Sequence, residues 1–185
     1  MFYDTKDQEP NITKLPYIES ASIKKVFPNL LSIIVEENYP LFFQNADGKD
    51  LYISNTGIFL GEDIGEFDKS LLKEINGANL RKEIGENFTS SQASLNFIKS
   101  IQRFSYFNDI NQLNLENKAQ IGIMINDIDV KFGDLNNIDY KLKSLDKILN
   151  DVNSKSLDIT EIDLNNGNDP VVKVNPESFS ENLNY

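Results

Sequence analysis

LPYIESASIKKVFPNLLSIIVEENYP, Leu15–Pro40, is the stretch whose reading decides the fold. It predicts a β-hairpin. The first arm, Tyr17 to Val26, places Ala21 and Ile23 on one face, with Ser20, Ser22 and Lys24 facing away. The second arm, Leu30 to Glu36, puts Leu31, Ile33 and Val35 on one face. A period of two marks strands with one buried and one wetter side. Phe27-Pro28-Asn29 lies between the arms, where proline presets φ at the first central position of a turn and asparagine tolerates the left-handed region at the second.

Outward from that hairpin the chain is polar on one side and β-rich on the other. Met1 to Lys14 leaves room for a turn or two of helix around Pro10. After Pro40 come Leu41–Phe43, a turn at Asn45–Gly48, Leu51–Ile53, a second turn at Asn55–Gly57, and Ile58–Leu60. Asp47-Gly48 and Gly57 supply the positive-φ positions tight loops need. Glu62 to Asn87 is charged and weakly periodic, and Asp68 to Ile75 reads as either a short strand or a turn. Thr89-Ser90-Ser91 then caps a helix of about four turns, ending near Tyr106, whose apolar positions are Ala93, Phe97, Ile98 and Ile101. Three strands follow at Ile110–Leu115, Gln120–Ile125 and Ile128–Phe132. Asn136 and Asn137 cap a second helix with an apolar stripe of Leu142, Leu145, Ile148, Leu149 and Val152, and with Lys141, Lys143 and Lys147 on its wet face. Ile159–Leu164 and Pro170–Val174 are two last strands, and a polar tail expected to be disordered follows.

Composition bounds the chemistry. The 185 residues are 39% hydrophobic, enough for a buried core of one sizeable or two small domains. A formal charge of −11, from 18 basic and 29 acidic residues, argues against nucleic acid and against adsorption on anionic headgroups. With no Cys and no His, thiolate chemistry and the commonest general base are missing. No apolar run approaches the length of a membrane span.

Three carboxylate pairs are the candidates for acid–base work: Glu36/Glu37, Asp127/Asp129 and Glu161/Asp163. The competing reading, decoration of solvated strand faces, explains the same residues. Asp163 to Asp169 alternates oxygen side chains like a calcium loop, yet Gly167 is fifth where the sixth is required, and Val174 stands where a bidentate glutamate is needed. A hairpin turn accounts for that composition, so no metal or cofactor is expected. The last strand offers a different activity. With nothing after it to cover it, Pro170–Val174 is either a sheet edge open to a partner's strand or an edge protected by Lys173 and the tail.

Six ordered motifs also resemble one family, the bacterial cell-division proteins FtsQ and DivIB. They are Leu15-Pro16-Tyr17-Ile18 with Ser20–Ile23, Phe27–Leu30, Ile33–Glu36 closed by Pro40, Val130–Asp134, Lys141–Leu149, and Ile162–Leu164 followed by Val172–Val174. The resemblance implies an α+β, β-rich fold: a partial POTRA-type hairpin module over 1–40, then a curved, mainly antiparallel sheet packed with two helices over 41–176, then a tail over 177–185. It implies that the module's preceding strand and helix lie upstream of Phe2. It implies a non-enzymatic, single-pass membrane protein whose extracytoplasmic region is this chain and whose anchor is a segment the chain does not include. It further implies that Asn166, Gly167, Asn168, Pro170, Val171, Val172, Lys173 and Val174 bind an FtsB/DivIC-like partner working with an FtsL-like one. Two alternatives stay open: another POTRA-bearing secretion or transport module, and an acidic secreted hydrolase.

Overall fold

The computed structural model describes residues 8–62, 68–78, 83–167 and 169–175. The chain forms two compact units, Met1–Leu72 with Asn79–Ser90, and Lys73–Ala78 with Ser91–Tyr185.

The first unit begins with α1, Glu9–Ile12, a single turn with Pro10 near its start. Strands β1, Ile18–Val26, and β2, Leu30–Glu37, form the hairpin. Ala21 pairs with Val35, Ile23 with Ile33 and Lys25 with Leu31, so the expected apolar positions share a face. That face is not buried as the alternation predicted. Ile23 is covered, whereas Leu31, Ile33 and Val35 are exposed, and so are Leu30 and Ile34 on the reverse side. A two-stranded sheet by itself buries little apolar surface. The turn also differs from expectation. Phe27–Pro28 is a cis peptide and Asn29 has no positive φ. A proline amide adopts cis at little cost, so this turn is available to the same three residues. The Glu9 carboxylate accepts the Ile23 N–H at 2.7 Å and ties α1 to β1.

Strands β3, Pro40–Ala46, β4, Lys49–Ser54, and β5, Phe59–Gly61, form an antiparallel meander in this unit. Asp47 and Gly48 lie at φ 52° and 79°, the two left-handed positions of a type I′ turn. Asn38, almost fully buried, closes the base of the hairpin. Its Nδ2 donates to the Pro16 carbonyl at 3.0 Å and its Oδ1 accepts from the Thr56 hydroxyl. Phe42, Ile53, Leu60 and Phe88 are the most deeply buried apolar side chains of the unit.

The second unit has the order β6, Lys73–Asn76; α2, Gln92–Ile101; β7, Ile110–Asn114; β8, Ile121–Ile125; β9, Ile128–Gly133; α3, Ile138–Lys155; β10, Ile159–Asp163; and β11, Val171–Val174. Its strands run β11-β10-β9-β8-β7-β6 across the sheet. β6 with β7 and β9 with β10 are parallel, each pair joined through a helix, and the other neighbours are antiparallel. The sheet is therefore mixed, with α2 and α3 as the crossovers that parallel pairs require. Leu95, Phe97, Ile98 and Ile101 of α2, and Leu142, Leu145, Leu149 and Val152 of α3, are the buried faces. Phe97 meets Phe132 edge-on at 5.4 Å.

Three local expectations need correction. α2 is capped as predicted, Ser91 Oγ accepting the Ser94 N–H, but it has ten residues and stops well before Tyr106. The backbone turns extended at Phe104, which lets a short 3-10 segment, Ser105–Asp109, bury Tyr106 and Phe107. Asn137 holds the cap position of α3 in a left-handed conformation without a side-chain bond; Asp134 Oδ1 instead accepts the Asn136 N–H at 3.0 Å. Lys141 is not on a wet face. It is buried, and its ammonium donates to the Phe132 carbonyl at 2.8 Å and to the Asp134 carbonyl at 2.9 Å.

Candidate strand-addition edge

Every second residue of a strand faces the same way, so the ladder registers sort the side chains of the second unit into two rows. On the helix-covered face, Leu113 pairs with Ile123, Ile123 with Val130, Val130 with Ile162, and Ile162 with Val172. The first four are buried, while Val172 is half-buried, where the row stops. On the opposite face, Gln112 pairs with Met124, Met124 with Asp129, Asp129 with Glu161, and Glu161 with Lys173. An open trough of about 580 Å³ runs over this polar face, lined by Gln112, Met124, Asp129, Lys131, Asp163 and Asn165 among others.

β11 ends the strand order, and among the described residues its ladder partner is β10. Its Val171 is exposed. Lys173 reaches back over the sheet to Glu161 Oε1 at 2.6 Å, and Lys131 holds the other oxygen of the same carboxylate. The Lys131 ammonium and then that of Lys173 hold the Glu161 carboxyl below its ordinary range. Lys173 is thereby engaged with its own sheet, and it fixes β11 against β10.

The turn before β11 is built by short-range bonds. Asp163 Oδ1 accepts the Asn165 N–H at 2.8 Å, an Asx turn. Gly167 sits at φ 67°, and Asp169 N donates to the Asn166 carbonyl. Of the eight predicted binding residues, Asn166 and Gly167 lie in this turn, Pro170 just before the strand, and Val171, Val172, Lys173 and Val174 in β11; Asn168 falls outside the described residues.

In each carboxylate pair at least one member is already engaged. Glu36 accepts from Ser20, Asp129 lies 3.5 Å from Lys131, Glu161 takes two lysines, and Asp163 holds its turn. Among the described residues no group of three or more carboxylates is placed to hold a metal ion. No helix among them is long and apolar enough to cross a membrane.

Residues 1–38 match the model of the FtsQ-type POTRA domain. Over 164 residues the chain is 32% identical to the cell division protein DivIB of Clostridium botulinum strain Hall, covering 80% of this chain and 60% of that protein. The chain resembles the FtsQ/DivIB division proteins. A second DivIB, from Clostridium tetani, is 29% identical over 145 residues, covering 75% of this chain and 54% of its own length. The chain thus spans 60% or less of the DivIB relatives it matches.

Two DivIB-like motifs that the sequence kept apart meet at Lys141. Its ammonium bonds the carbonyls of Phe132 and Asp134, so the Val130–Asp134 strand end and the Lys141–Leu149 helix are one hydrogen-bonded unit. Periodicity could not reveal this, because a lysine inside a helical pattern reads as solvated.

Proposed function

We propose that this chain is the docking region of a bacterial division protein of the DivIB kind, single-pass and extracytoplasmic, and that it recruits its partners by strand addition at β11. The observation that carries the reading is that β11 ends the strand order, with β10 as its ladder partner among the described residues, in a chain that resembles DivIB. An edge strand presents a row of N–H and C=O groups to an incoming strand, and alternate side chains then set specificity. The two rows define that specificity. A partner strand extends the buried row with an apolar residue beside Val172, and places an acidic or polar residue near Lys173 on the other face. The natural candidate is the C-terminal segment of an FtsB/DivIC-like protein, working with an FtsL-like one. The mechanism is assembly rather than catalysis.

Successive N–H groups of an edge strand point alternately toward the neighbouring strand and away from it. Val171→Pro and Val172→Pro, made one at a time, therefore remove one inward and one outward donor. The variant that keeps the parent's melting temperature is expected to lose at least tenfold in affinity in a titration against the partner's C-terminal segment. Parent-like affinity in both variants would sink strand addition.

A further inference from the structure

The sequence contains Asn-Gly twice, at Asn76-Gly77 and at Asn166-Gly167, and the fold treats the two pairs differently. In such a pair the asparagine can react with its own backbone. The nitrogen of the following residue attacks the side-chain carbonyl carbon, and glycine, which lacks a side chain, obstructs that attack least. The two atoms meet only after rotation about the asparagine's Cα–C bond, so the reaction runs where that rotation is unopposed.

Asn76 ends β6. It pairs with Asn114 in the parallel ladder, and its carbonyl accepts the Leu115 N–H at 2.9 Å. Gly77 lies so close to the neighbouring chain that a Cβ there would fall 2.5 Å from Glu116 N. Rotation at Asn76 would pull its carbonyl off Leu115 and shift Gly77 against Glu116. Asn166 and Gly167 sit instead in the exposed turn before β11. The Asn166 carbonyl accepts the Asp169 N–H at 3.3 Å, longer than the usual range. Among the described residues nothing bonds the Asn166 side-chain amide or the Gly167 N–H. A Cβ on Gly167 would meet nothing within 4 Å, so open space surrounds the reacting pair.

We propose that Asn166 is a site of spontaneous deamidation in the folded chain, and that Asn76 is protected from it. The Gly167 nitrogen gives its proton to water and bonds to Cγ of Asn166, while the side-chain nitrogen takes up a proton and leaves as ammonia. Water then opens the resulting succinimide at either carbonyl. One opening leaves aspartate at 166. The other leaves an isoaspartyl linkage, in which the backbone runs through the side chain and gains a methylene. Water is consumed, ammonia is released, and nothing is oxidised or reduced. Either product adds a negative charge to a turn that already holds Asp163 and Asp169. The isoaspartyl product also lengthens the backbone just ahead of β11.

The test is incubation of the full chain in mildly alkaline buffer, folded and in urea, with peptide mapping by tandem mass spectrometry at intervals. In the folded chain Asn166 should convert about tenfold or more faster than Asn76, which must first lose a ladder hydrogen bond and its packing. In urea the two pairs should convert at comparable rates. Asn166→Gln should abolish the early mass gain and leave Asn76 unaffected, because the larger ring that glutamine must close forms more slowly. Gly167→Ala should slow conversion at Asn166 several-fold. Equal conversion of both pairs in the folded chain would overturn the proposal, as would an Asn166 that survives folded while the urea sample converts. So would an early mass gain that Asn166→Gln leaves unchanged, which would put the reaction at another asparagine of the same peptide. The readout is a mass and needs no partner, so its outcome is independent of the docking edge.

Discussion

Lys141 occupies a helical position that periodicity assigns to solvent, yet its ammonium closes the end of β9 from inside. Replacing it with methionine keeps the stem's packing and leaves two inward carbonyls without that donor, so Lys141→Met should cost about 1–3 kcal/mol in denaturant unfolding. Asn38 makes the same point in the first unit, and Asn38→Ala should cost a similar amount, about 1–3 kcal/mol, by leaving Pro16 O and Thr56 Oγ without their buried partner. Both residues read as unremarkable polar positions because nothing in a one-dimensional pattern says which polar group faces inward. Gly133 is different, since its need was visible beside Asp134 at a strand end. It lies at φ 69°, and a Cβ there would fall 2.0 Å from Asn165 Oδ1. Gly133→Ala should destabilise by roughly 1 kcal/mol from backbone strain and push Asn165 aside, a shift that amide spectra of the turn before β11 would record.

Elements with strong local chemistry followed their sequence. Asp47-Gly48, Asn126-Asp127 and the alternations around them formed hairpins in the expected places, and the last strand lies at Val171–Val174. Elements decided by distant packing did not. α2 is cut short so that Tyr106 and Phe107 can be buried, and the parallel pairs β6/β7 and β9/β10 are pairings between segments that no local pattern links. Val171–Val174 was legible as a strand from its own residues; the two rows it joins were not, because register is a property of pairs. Glu161 is where those pairs can be tested. Glu161→Gln keeps the shape but removes the charge that holds Lys131 and Lys173. It should loosen β11, seen as faster amide exchange at Val171–Val174, with little change in α3.

At the scale of the molecule the paired carboxylates set the pH response. Asp50 is held below its ordinary range chiefly by Lys69, Asp68 by Ser70, Asp134 by the Asn136 amide and Lys141, and Glu161 by Lys131 and Lys173. A group whose folded value lies below its unfolded one contributes stability that is fully present above the unfolded value and is lost as pH falls through the folded one. Thermal stability should thus be level from neutrality down to about pH 5 and decline below it, and Glu161→Gln should make that decline shallower. Lys49 and Lys131 are raised, chiefly by Glu62 and Glu161, so their contribution is present below the ordinary lysine value and disappears only in strong alkali. A melting curve that instead falls between pH 8 and pH 6 would contradict this assignment, since none of these groups titrates there.

The path of the chain carries one more consequence. Residues 73–78 belong to the second unit while the segments on either side, up to Leu72 and from Asn79 to Ser90, belong to the first. The backbone therefore passes between the units three times. No single cut yields both intact, and a fragment starting at Ser91 would present β7 with its β6 neighbour removed. Deletion mapping of a binding activity in such a chain would misassign it. Any truncation within 73–90 damages the second unit's sheet from its far side, and the lost binding would be blamed on the segment removed. Exchange of modules between relatives meets the same barrier, so recombination is expected to respect the 73–90 stretch as a whole.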